Sequence, residues 1–197
     1  MGNEQAIVKK GGGRKRKRIG KKVGNVVVIM QAISVVFAVT ICVYMYNSLV
    51  RSMQKQICTN GTNALAYELS RVSVEDDINQ ILDGMKERMG CEFTIFEGDT
   101  RAYSTVTKNG ERVVGTKLAS NLIDIVLKKG QSYVGEADIL GETYLCSYVP
   151  TKGENGQIEG LIFAGISMTE AKEETARIIT YAAVISVAVI IVCILFL

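Results

Sequence analysis

Side chains able to do chemistry are few in this 197-residue chain, and it contains no histidine. That excludes a Ser-His-Asp triad, a zincin metal site and a phosphoaccepting histidine on the chain. The acid/base candidates are Glu97 with Asp99 and Glu136 with Asp138, each pair spaced by two so that one strand or turn face could carry both. Solvated turn charges explain the same spacing, and a Cys or Ser nucleophile would lack its usual base. We therefore expect no enzyme, and we expect neither a metal nor a cofactor. The binding candidates are more promising. Arg101 begins a strand-like run, and a guanidinium can hold a carboxylate through two parallel hydrogen bonds. Lys117 follows Gly115-Thr116 at a loop-to-helix entry and could add a second cation. Tyr133 and Tyr144 fall on neighbouring strands and offer hydroxyls on apolar bodies. Tyr103, Ser104, Thr105 and Ser147 could complete the shell. The same residues also read as solvated charges and core tyrosines.

Cysteines add little. Cys58, Cys91 and Cys146 are odd in number, so at most one intrachain bridge can form, and no C-x-x-C spacing suggests a metal cluster. Cys42 and Cys193 fall in apolar runs and read as fillers. Asn60-Gly61-Thr62 fits the glycosylation sequon, which matters only in a eukaryotic secretory pathway.

The elements that must position these residues show in the periodicity. Met53, Ile57, Leu65, Leu69 and Val72 recur at helical spacing, predicting a long helix that Gly61 weakens without breaking. Ser73-Val74-Glu75-Asp76 resembles a helix start, with Ile78, Ile81, Leu82 and Met85 as the apolar face and Gly90 as the stop. Residues 91–96 alternate as a strand, and Glu97-Gly98-Asp99 turns the chain into a partner at 101–106. Lys108-Asn109-Gly110 closes that hairpin. Residues 119–129 read as a helix, and strands follow at 131–139, 143–149 and 157–167. The expected fold class is α+β: a five-stranded antiparallel sheet with helices on its faces and a long N-terminal helix.

Charge and hydropathy set this domain in a larger frame. Nine cations against Glu4 give residues 1–22 a charge of +8, while the remaining 14 basic and 19 acidic residues sum to −5. From Val23 to Val50 there are 28 residues without a charge, and from Ile178 to Leu197 another 20. About 20 apolar residues cross a bilayer core, so both runs read as membrane spans. A cleaved signal peptide would have a shorter apolar region, so the first run reads as uncleaved. Lys and Arg beside a span hold that end in the cytoplasm. A nucleic-acid patch would be out of place directly against a span, so no nucleic-acid partner is expected. Position 6 is Ala, which removes a myristoylation start. The expected organisation is a basic cytoplasmic tail at 1–22, loosened by Gly11, Gly12 and Gly13 and disordered. A span at 23–50, an outer domain at 51–177 and a second span at 178–197 follow. Two copies are expected to pair along Met53, Ile57 and Leu65, because one amphipathic helix cannot bury its stripe alone.

The run from Cys91 to Arg101, with Ser104-Thr105-Val106 and Gly115-Thr116-Lys117, resembles the extracellular single Cache (PAS-like) domain of bacterial methyl-accepting chemotaxis proteins. Tyr133-Val134-Gly135-Glu136, Gly141-Glu142-Thr143-Tyr144, Tyr148-Val149-Pro150 and residues 158–165 carry the same likeness. It covers about Arg51 to Ser167, and the order span–sensor–span matches. The resemblance implies a small ligand on the sheet, a carboxylate or amino acid, held by Arg101, Tyr103, Thr105, Lys117, Tyr133, Tyr144 and Ser147. It also implies a bacterial inner-membrane receptor whose sensor domain is extracellular or periplasmic. Family members continue into a HAMP linker and a methylated signalling region, so the chain is expected to be a fragment. The chemotaxis kinase and its coupling protein would be partners only through that missing region. Other outputs behind a Cache domain, a histidine kinase or a diguanylate cyclase, remain open, as does a membrane protein without a ligand.

Overall fold

The computed structural model describes residues 12–73 and 76–195, with side chains at 22–73, 76–169 and 175–192. Two compact units emerge: residues 1–46 with 175–197, and residues 47–174. The first unit holds the outer parts of helices α1 (Gly12–Leu69) and α4 (Met168–Leu195). Both helices are long and apolar enough to cross a membrane, and both flank the second unit in sequence. In α1 the backbone is already helical at Gly12, inside the tail expected to be disordered; residues 1–11 lie outside the described part. Of the other residues in that tail, Arg14 to Lys22 are mainly good helix formers, and a preformed helix extends at little cost.

The second unit is an α+β fold, as the periodicity predicts. Its sheet has the order β2-β1-β7-β6-β5, antiparallel throughout. The strands are β1 (Glu92–Glu97), β2 (Thr100–Ser104), β5 (Tyr133–Ile139), β6 (Glu142–Lys152) and β7 (Ile158–Ser167). Both faces are buried, and strict alternation sorts the side chains between them. On β7, Ile162 and Ala164 face α1 and α2 (Ile78–Met89), while Leu161 and Phe163 join the opposite cluster. On β6, Tyr144, Cys146 and Tyr148 belong to the latter cluster, and Leu145 and Ser147 face α1. Strand β6 runs through Pro150, beyond the expected end at Val149. At that point β5 has ended, so the missing N–H costs no ladder bond.

Helix α1 meets the sheet through Cys58, Thr62 and Leu65, all fully buried, with Leu69 behind them. Met53 and Ile57, expected in the same stripe, remain exposed. The pivot is Gly61, read in the sequence only as a weak point. A Cβ there would lie 3.0 Å from Ala164 Cβ and 3.2 Å from Cys91 Sγ, so glycine lets the helix lie against the strands. Helix α2 begins one residue after Asp77, whose carboxylate accepts from the Asn79 N–H, rather than at Ser73. Asp76 instead accepts from the Ser73 N–H and hydroxyl. Val74 and Glu75 lie outside the described residues. Gly90 ends α2 at φ 65°, as expected of a left-handed stop.

Two local features depart from the sequence reading. Asn109-Gly110 does not close the β1–β2 pair; it turns a separate small hairpin of β3 (Thr107–Lys108) and β4 (Glu111–Arg112). The expected helix at 119–129 is a short α3 (Ser120–Leu122) that widens into a π-helical stretch, Ile123–Lys128. Widening the turn still keeps Leu122 and Val126 buried against the sheet.

Candidate functional site

Segment 113–118 crosses the outer edge of β2 and builds the site. The Arg101 N–H donates to Thr116 O at 2.9 Å, Gly115 N–H to Arg101 O at 2.8 Å and Leu118 N–H to Asp99 O at 2.8 Å. This edge pairing places the Arg101 side chain in a cavity of about 100 Å³, lined also by Thr116, Leu118, Leu122, Asp138, Leu140 and Tyr148.

Arg101 is only 4% exposed. Its Nη1 donates to Thr116 Oγ1 at 2.7 Å, and its guanidinium carbon lies 5.0 Å from the centre of the Phe96 ring. Its Nε has no hydrogen-bond partner, and no carboxylate among the described residues pairs with it. Burial lowers the guanidinium pKa below its usual value, while Tyr148 and Tyr144 act the other way. An uncompensated buried charge costs several kcal/mol by general estimates, so an anion entering here would meet a strong, preformed attraction. Burial pushes the Tyr144 hydroxyl up to about 12 and the Tyr148 hydroxyl higher still, so both stay protonated donors.

The expected site residues separate in the fold. Tyr144 and Tyr133 stay on the Arg101 face of the sheet, Tyr133 stacking obliquely on Tyr148 with ring centres 6.3 Å apart. The Tyr133 hydroxyl already donates to Glu136 O at 2.8 Å. Lys117 reaches the cavity rim, but its ammonium is held by Asp99 at 2.6 Å and Thr100 at 2.7 Å, so its charge is largely neutralised. Three residues leave the site. The β1–β2 register shifts between Ile95 and Phe96, and this bulge sends Tyr103 to the α1–α2 face, away from Arg101. Thr105 is buried and accepts from the Phe93 N–H while donating to Glu92, a structural clamp on β1. Ser147 is buried against α1, its hydroxyl 3.1 Å from that of Thr62. Ser104 likewise bonds Thr94 at 2.8 Å. Thr116, Tyr148 and Leu140 were missed. Tyr148 shares the period-two face of Tyr144, a signal the sequence does hold; Thr116 and Leu140 come from loops with none.

A larger hollow of about 590 Å³ opens between α2, β1 and β7, lined by Asp83, Lys86, Glu92 and Ser167 among others. Most of its charges are already matched, Lys86 pairing with Glu92 at 2.7 Å and Asp83 with Arg112 at 2.6 Å, and the remaining charged side chain in its lining is another acid, Glu87. Among the described residues, no cluster of acidic or cysteine side chains could hold a metal ion.

The sequence matches the single Cache domain 3 family over residues 72–178, more than half of the chain. The chain belongs to that family. This Cache domain therefore extends from the end of α1 into α4, with the Arg101 cavity inside it. Among solved structures it is similar to the E. coli DcuS sensor domain, at 16% identity, TM-score 0.45, covering 67% of this chain and 98% of that one. A second is a sensory box sensor histidine kinase from Vibrio cholerae, at 16% identity and TM-score 0.31, covering 54% and 98%. No curated protein matches the sequence.

Proposed function

We propose that this Cache domain is the sensor of a transmembrane chemoreceptor, a methyl-accepting chemotaxis protein, that binds a small carboxylate or amino acid at Arg101. The carrying observation is the buried Arg101 guanidinium, which lines a cavity and forms no ion pair among the described residues, although Asp138 lines the same cavity. Two or three charge-assisted bonds at ~1.5–3 kcal/mol each suffice for roughly millimolar to micromolar binding once association costs are met. Ligand contacts would change the balance between two arrangements of the sheet and the flanking helices, shifting a span by about 1–2 Å. The chemotaxis output rests on the sequence resemblance. A reading frame that continues into long heptad helices with Glu/Gln methylation sites supports it; a kinase or cyclase motif overturns it.

The binding claim has a direct test. Small carboxylates and amino acids are screened by thermal shift on the full chain in detergent, beside Arg101→Ala and Arg101→Lys. Arg101→Ala should abolish the ligand response, and Arg101→Lys, which keeps charge but loses the bidentate fork, should weaken it at least tenfold. An Arg101→Ala chain that binds as well as the native one sinks the reading.

A further inference from the structure

We infer that Leu140 sets the size of the ligand, and that Lys108 straps it in place over the Arg101 cavity. This rests on the binding role of Arg101 and goes beyond it. Leu140 and Gly141 form the two-residue turn between β5 and β6, where Ile139 pairs with Glu142. Both have positive φ, 56° at Leu140 and 92° at Gly141. Such turns take Asn, Asp or Gly at the first position. A γ-branched residue there costs roughly 1–2 kcal/mol, and Leu140 is also 40% exposed. Neither turn formation nor core burial explains a leucine at this position. What it does do is line the Arg101 cavity.

Two contacts fix the turn. Lys108, on the small β3–β4 hairpin, donates from Nζ to Leu140 O at 2.8 Å across 32 positions of sequence, and the Gly141 N–H donates to Asp138 at 3.0 Å. The other side of that hairpin is anchored to α2 by Arg112, which bonds both oxygens of Asp83. Leu140 is therefore a held apolar part of the wall of the cavity that Arg101 also lines, beside Asp138, whose carboxylate accepts from the Gly141 N–H. At about 100 Å³ the cavity is well below the roughly 300–1,000 Å³ of sites for drug-sized ligands, so it admits a molecule of only a few non-hydrogen atoms. A wall side chain at that size decides whether one more methylene fits.

The test titrates the straight-chain acids acetate, propionate, butyrate and valerate, by calorimetry, against the full chain in nanodiscs. The native chain should lose affinity about tenfold or more per methylene beyond its limit. Leu140→Ala, which removes the side chain and leaves φ as constrained, should move that limit up by at least one methylene. Lys108→Met should blur the limit, and Lys108→Arg should restore it. An unchanged length profile in Leu140→Ala, with Arg101→Ala inactive toward every acid, overturns the inference and leaves the Arg101 reading standing. A native profile in Lys108→Met overturns the strap. If no acid binds the native chain, the inference falls together with the carboxylate reading.

Discussion

The thiols of Cys91 and Cys146 show how a residue type can mislead when burial is unknown. Both are buried, and desolvation, helped by the neighbouring Cys58 thiol, pushes each up to about 12. The thiolate is the reactive form, so neither should be alkylated at pH 8 while the domain is folded. Mass spectrometry after iodoacetamide treatment should find both unmodified in native protein and fully modified in denaturant. Asp99 illustrates the opposite case. The Lys117 ammonium holds this exposed carboxylate below its usual pKa. A depressed folded-state pKa gives stability that is present above the unfolded value, near 4, and lost as pH falls through the folded one. Lys117→Met should therefore raise the Asp99 pKa toward the ordinary carboxylate value, read by NMR titration of its side-chain carbon. An unchanged titration would show that the pair is not formed in solution.

Elements, in turn, depend on where a residue meets its neighbour, and two glycines make opposite predictions. Gly61 lies in α1 with Ala164, Cys91 and Phe93 at 3.0–3.3 Å from where a Cβ would stand. Gly61→Val should overpack this contact and cost roughly 1–3 kcal/mol. Gly84 lies in α2 with open space around it, so Gly84→Ala should stabilise by up to about 1 kcal/mol through helix propensity. Urea midpoints of the two variants should move in opposite directions. If both moved the same way, propensity alone would govern α1 and the close approach would be irrelevant.

For the whole molecule the question is what covers the exposed side of α1. Leu65 is fully buried in the chain's own core, so it cannot lie on a seam between copies as the sequence stripe suggested. Met53 and Ile57 remain exposed, at 56% and 36%. If two copies of the chain pair along α1, Met53→Cys should cross-link in membranes under mild oxidation, and Leu65→Cys should not, with Cys42 and Cys193 replaced by Ser. Equal cross-linking of both would mean that pairing is not along this face.

Much of the architecture was determined by sequence alone, because its signals are local. Uncharged runs long enough to span a bilayer, period-two strands and the left-handed stop at Gly90 need no distant partner to be read. Those strands account for a five-stranded antiparallel sheet, but its order, with β1 beside β7, is set by tertiary pairing. What only the tertiary structure decided concerns registers and contacts between distant segments. A single bulge between Ile95 and Phe96 put Tyr103 on the wrong face for the site while leaving Arg101 on the right one. Alternation along β6 gave Tyr144 to the Arg101 side and Ser147 to α1, and no spacing argument shows which parity faces a cavity. Thr116 and Leu140 reached the site from loops, where neither periodicity nor composition marks a position. Arg101 was legible as a cation at a strand start. That it is buried without an ion-pair partner among the described residues, the property on which the proposed binding role rests, is a fact about residues far from it in the chain.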